Sequence, residues 1–155
     1  MGIICLALLT GCQPDTECRQ STKVVAGISL RGLAVDTTEL ATEFTSWDSI
    51  TVQGVGSDSV LYNNSKNISR ILVPLRQDST ITAFSVMWHD MEDVIYFRHD
   101  NTMRFISMAC GCVVYHNIDS VWVEGTWIDS VKILNSAVES IEQDNVKVFT
   151  TIYDW

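Results

Sequence analysis

The sequence predicts an all-β domain: an antiparallel β-sandwich of about nine short strands, with a small lipocalin-like β-barrel as the alternative. Three observations predict it. Apolar and polar residues alternate with a period of two through most of the chain, as in Ser49-Ile-Thr-Val-Gln-Gly-Val55. Turn residues recur about every 8–12 positions. No apolar stripe with a 3.6-residue period persists for the length of a helix.

The elements follow in order. Residues 22–33 carry Val24, Val25, Ile28 and Leu30 and read as a first strand; 36–44 reads as a polar loop or short helical turn. Ile50 and Val52 point inward from the next strand, and Gly56-Ser57-Asp58 turns the chain into Val60-Leu61-Tyr62. Ile71, Val73 and Leu75 share a face, with Pro74 at a strand end. Ile81–His89 alternates, with Phe84, Val86 and Trp88 on the core side. Asp90-Met91-Glu92 makes a hairpin to Val94–Arg98, and His99-Asp100-Asn101 is expected to turn into a central strand, Met103–Tyr115. Three further strands are expected at 120–124, 127–134 and 146–153.

In the expected central strand, Ile106, Met108, Cys110, Cys112 and Val114 share one apolar face, assigned to the core. Cys110 and Cys112 would then lie about 6.6 Å apart with parallel Cβ vectors, a poor geometry for a bond between them. The other candidate partner is Cys18, giving Cys18–Cys110, or alternatively Cys18–Cys112. The competing readings are three small buried thiols or a Cys-x-Cys metal site, for which two thiols fall short of four ligands.

The 155 residues make one domain. Ten Lys and Arg against nineteen Asp and Glu give a net charge of −9. Nucleic acid, which needs a basic face, is excluded as a partner on that ground, and the surface is unsuited to anionic lipid. Met1 to Leu9 is apolar, uncharged and too short to span a bilayer. Leu9-Thr10-Gly11-Cys12 resembles a lipobox, although the usual basic segment before it is missing. The expected organisation is therefore a signal segment 1–11, a lipidated Cys12 heading a tether 12–21, and a β-domain 22–155. Membrane contact comes through the anchor, in an oxidising envelope compartment facing the periplasm or the cell surface.

Enzymatic signals are sparse. His89, His99 and His116 match neither zinc nor calcium spacing, and no Gly-x-Ser-x-Gly elbow or Gly-rich phosphate loop occurs. No cofactor or metal is expected. Of five tryptophans, Trp88 reads as core, whereas Trp122 and Trp127 are candidates for a surface aromatic patch. Asp followed by Ser or Thr and then by an apolar residue or Thr recurs at 36, 48, 58, 78, 119 and 129. It resembles a periplasmic O-glycosylation acceptor; its structural reading is that Asp-Ser closes a turn and the next apolar residue opens a strand.

Several short motifs together resemble a domain-of-unknown-function family of envelope lipoproteins from Bacteroidales-type bacteria. They are Cys18 after the lipobox, Ser49-Ile-Thr-Val-Gln-Gly54, Ile71-Leu-Val-Pro-Leu75, Phe105-Ile-Ser-Met-Ala-Cys-Gly111, Ile128-Asp-Ser-Val-Lys-Ile-Leu-Asn135 and Asn145-Val-Lys-Val148. The resemblance implies an envelope β-domain and brings no activity, ligand or catalytic residue. Cys112 departs from its pattern and is the thiol expected to be free. Function is thus expected to be non-enzymatic binding or scaffolding of an envelope protein or glycan. The alternative is a carrier for a small hydrophobic ligand or glycan.

Overall fold

The computed structural model describes residues 17–35 and 41–153. Among them are eleven strands and no helix. The strands are β1 (Ala26–Val35), β2 (Ala41–Phe44), β3 (Ile50–Gly54), β4 (Val60–Ser65), β5 (Arg70–Val73) and β6 (Ile81–Trp88). β7 (Met91–Ser107), β8 (Gly111–Glu124), β9 (Ser130–Ile133), β10 (Ala137–Val138) and β11 (Asp144–Tyr153) complete them. One sheet has the order β2-β1-β11-β9, with β5 also paired to β1; the other has the order β10-β8-β7-β6-β3-β4. This is the expected sandwich architecture.

The core lies between the sheets. Ile28, Leu30, Val146 and Val148 face it from one side, and Ile50, Val52, Phe84, Val86, Ile95, Phe97 and Ile118 from the other. The inward positions read from alternation are buried: Ile71, Val73 and Leu75 together, and Phe84, Val86 and Trp88 together. Trp47, Trp88 and Trp127 pack against one another at 4.7–6.0 Å between ring centroids and fill one region of the core. Four of the Asp-Ser pairs sit just before or at the opening of β3, β4, β6 and β9, as turn chemistry requires; Asp119 instead marks the β7–β8 register shift.

Three expectations are corrected. First, not every pairing is antiparallel: β1 and β11 run parallel from Gly27↔Asp144 to Val35↔Tyr153. Chain order explains it, since the whole intervening domain serves as the crossover that a parallel pair needs. Second, His99-Asp100-Asn101 is not a turn but lies inside β7, paired to β8. Third, the expected central strand Met103–Tyr115 is folded back on itself. β7 ends at Ser107, a turn spans Met108–Cys110, and β8 begins at Gly111, whose φ of +71° suits a residue without a side chain. Met108, assigned to the core, is 93% exposed in that turn.

Candidate functional site

β7 and β8 form the longest hairpin of the fold, and the candidate functional features other than one surface groove hang on it. Along β7 one face carries Asp93, Ile95, Phe97, His99, Asn101, Met103 and Phe105, turned toward the core over its first part. A register shift after Arg98 leaves Asp119 as an extra residue on β8. Burial along this one stripe changes character three times.

At its base, Asp93 is fully buried. Its carboxylate accepts hydrogen bonds from the backbone N–H groups of Thr126 (2.7 Å), Trp127 (3.0 Å) and Ile128 (2.7 Å). A Cβ on Gly125 would stand 1.7 Å from Asp93 Oδ1, so the loop closes over the acid only because residue 125 is glycine. Thr150 Oγ1 donates to the Trp127 carbonyl from the opposite sheet. These bonds carry Trp127 inward. It is 6% exposed and packs on Trp47 and Trp88, so its expected place in a surface patch is corrected.

Further along, the stripe turns polar. Asn101 donates from Nδ2 to the carbonyls of Arg76, Gln77 and Ser79 at 2.8–3.2 Å, which fixes its amide orientation. Its Oδ1 then lies 2.8 Å from His99 Nδ1 and 2.7 Å from His116 Nδ1. An amide oxygen only accepts, so both imidazoles carry their proton on Nδ1. His99 Nε2 is therefore an acceptor and takes the Thr82 hydroxyl proton across 2.8 Å. Both histidines are buried, with ring centroids 5.1 Å apart. Burial lowers the pKa of each; His116 is pushed down to about 4, with the charge His99 would carry as a further cause. Among the described residues no carboxylate hydrogen-bonds to either ring.

Thr82 also stands at the wall of a surface groove of about 450 Å³, together with Val55, Leu61, Pro74, Arg76 and Phe84. Arg76 closes one side, held by Asp78 through two contacts of 2.9 Å. The groove is open to solvent rather than enclosed. Among the described residues no cluster of His, Cys, Asp or Glu is arranged to hold a metal ion.

The outward face of the hairpin carries Trp122. It pairs directly across the strands with Tyr96, the rings stacked at 5.1 Å and 4°, and the Arg98 guanidinium stands 5.9 Å from the Trp122 ring. Tyr96 donates its hydroxyl to Glu124 at 3.0 Å, and that acid raises the phenol pKa. Trp122 thus lies in a surface aromatic cluster, but its companion is Tyr96. The pairing follows only from the β7–β8 register, which sequence reading had placed elsewhere.

At the tip, Cys18 and Cys110 form a disulfide with Cα atoms 4.7 Å apart, across 92 residues of sequence. Cys110 is held in the turn by its N–H to Ser107 Oγ (3.0 Å). Cys112 is free and exposed, opposite Phe105 on the other strand. The preferred pairing and the free thiol are as expected; the expected geometry, both thiols on one strand, is not. Cys12, the expected lipidation position, lies outside the described residues, and no described helix is long and apolar enough to cross a membrane.

No curated protein and no solved structure matches this chain. A family profile does match, over residues 49–150, about two thirds of the length and the whole span from β3 to β11's central residues. The chain belongs to DUF6452, a family of unknown function.

Proposed function

We propose that this protein is a lipid-anchored component of a bacterial cell envelope, of the Bacteroidales type that the sequence motifs resemble. In this reading it is held by acyl chains on Cys12 and acts as a non-enzymatic binding or scaffolding module. The observation that carries the reading is the Cys18–Cys110 bond. Disulfides persist in oxidising compartments, and this one closes six residues after the lipobox cysteine, tying the expected tether to the folded domain.

Two further features support binding rather than chemistry. The histidine pair, the groups best suited to move protons at neutral pH, is engaged by an amide and a hydroxyl beneath the surface. The Tyr96–Trp122 stack, with Arg98 over the Trp122 ring, offers a half-buried aromatic and cationic platform on the outward face, which supports contact with a peptide or a sugar. The carrier reading has one observation in its favour, the groove beside Leu61, Pro74 and Phe84, whose size falls in the range of ligand sites. The tryptophan-filled core and the open mouth of that groove favour the scaffold.

Two experiments test the reading. Cys12→Ser is expected to release the protein from the membrane fraction into a soluble periplasmic form; retention in the membrane refutes the anchor. Pull-down of the anchored protein, with Trp122→Ala as the comparison, is expected to lose its principal partner in the variant. A partner captured equally by both proteins removes the platform from the proposal.

A further inference from the structure

Among the described residues, the far third of the β7–β8 hairpin has no third strand. β6 pairs with β7 only as far as Arg98, and β10 pairs with β8 only at His116 and Asn117. Thr102–Ser107 and Gly111–Tyr115 pair with each other alone, as a two-stranded arm. Its two faces differ. On one, Tyr115 lies under the Arg104 guanidinium at 5.1 Å, Arg104 reaches Glu139 at 3.6 Å, and Val113 is buried. The other continues the inward stripe after the opposing sheet has ended. There the directly opposed pairs Met103–Val114 and Phe105–Cys112 face outward. Met103 is 71% exposed, Phe105 63%, and Met108 in the turn 93%.

Charge sets this arm apart from the rest of the molecule. From Phe105 to Tyr115 there is no Asp, Glu, Lys or Arg, in a chain that carries nineteen acids and a net charge of −9. An acidic body is kept off an anionic surface, but this tip is not: the turn itself carries no charge, and the exposed Glu17 and Arg19 that flank Cys18 there carry opposite ones. The disulfide then fixes where the tip is. Cys18 is bonded to Cys110 in the turn, and Cys12 lies six residues upstream. Six residues span at most about 20 Å fully extended. A lipid on Cys12 therefore keeps the tip within that distance of the headgroups, where tethering raises the effective concentration of an otherwise weak contact.

We propose that the arm is a second membrane contact: Met103, Phe105 and Met108 enter the interfacial layer of the bilayer that holds the anchor. The inference rests on lipidation of Cys12. The two contacts together orient the domain. With the tip down, the body stands on the arm and the Tyr96–Trp122 platform is carried away from the lipid, further along the hairpin.

Cys112 provides the probe, since it is the unbonded thiol of the described chain and lies opposite Phe105. The lipidated full-length protein, carrying an environment-sensitive fluorophore on Cys112, is reconstituted into phosphatidylcholine–phosphatidylethanolamine vesicles. The expected result is a blue-shifted emission that shallow doxyl-labelled lipids quench severalfold more than they quench a label at Asp90→Cys (in Cys112→Ser), at the other end of β7. Met103→Ser/Phe105→Ser/Met108→Ser is expected to float with the vesicles as before but to lose that quenching. A protein that floats while its Cys112 label stays in water overturns the arm contact and leaves the anchor standing. A protein that does not float overturns both. A blue shift already present in lipid-free Cys12→Ser protein, rising with concentration, assigns the arm to a second copy of the chain and overturns the bilayer as its occupant.

Discussion

Phe97 and Phe105 lie on the same strand and the same face, eight residues apart, and meet opposite fates. Phe97 is fully buried against Phe84 and the core; Phe105 is 63% exposed. The backbone pairing is continuous between them, apart from the register shift at Arg98–His99. Alternation therefore determines which way a side chain points but not whether anything stands opposite. Cover is supplied by the other sheet, whose extent is set by distant strands such as β1, β5 and β11. The polar segment His99–Asn101–His116 sits at the boundary, where the core thins and hydrogen bonds to the Arg76–Ser79 loop replace apolar packing.

The comparison breaks most severely at the base of the hairpin. Asp93→Ala is expected to cost about 3–5 kcal/mol, because the buried backbone N–H groups of Trp127 and Ile128 and the part-buried one of Thr126 lose their acceptor. Urea denaturation measures it; a loss below about 1 kcal/mol would mean that the loop finds other partners. Phe97→Ala is expected to cost a similar amount, about 3–5 kcal/mol, through the cavity it leaves in the core. Cys18→Ser, in protein purified from an oxidising compartment, is expected to cost about 2–4 kcal/mol by freeing a 92-residue separation in the unfolded chain. An unchanged melting temperature, or a third titratable thiol in the wild-type mature form, contradicts that bond.

How much of this was legible beforehand follows from the same distinction. Local signals worked where neighbours in sequence are also neighbours in space. Ile50 and Val52 faced inward, Pro74 ended a strand, and Asp-Ser pairs opened β3, β4, β6 and β9. They failed at Met103–Tyr115, where thirteen residues, apolar or small apart from Arg104, read as one buried strand. The turn there carries a single weak marker, Gly111, between two cysteines that pattern reading holds on one face. The Cys18–Cys110 pairing survived that error although strand geometry was the ground for setting Cys110–Cys112 aside, because Cys18 was the other candidate thiol. Trp127 was misplaced because its burial depends on Asp93, 34 residues away, drawing the loop inward. Tyr96 was missed as the partner of Trp122 for the same reason: cross-strand pairs exist only once the register is known.

Acidification probes the polar boundary with an intermediate effect. In the native protein His116 titrates at about 4 and His99 also lies below its ordinary value, because burial disfavours the imidazolium. The unfolded chain takes up those protons near pH 6.5. Stability is therefore complete above that pH and falls as the pH drops from about 6.5 towards 4, since the unfolded state then binds more protons. The loss is expected to be on the order of 2 kcal/mol by pH 4.5. His116→Gln isolates it from the carboxylates: the variant starts less stable but its urea midpoint should fall less between pH 7 and 5. Parallel pH curves for the two proteins would assign the acid sensitivity elsewhere.

The smallest expected effect is the sharpest test of the contrast. Phe105→Ala removes the same side chain as Phe97→Ala, from the same stripe, yet should change stability by no more than about 0.5 kcal/mol, as for an exposed position without packing partners. A value near that of Phe97→Ala would mean that something covers the arm in solution, and a dependence on protein concentration would name that cover as a second copy. A neutral value leaves Phe105 with no folding role to account for a large apolar side chain held 63% in solvent beside an uncharged turn. Its contribution then has to be sought outside the folded domain, in what the arm touches.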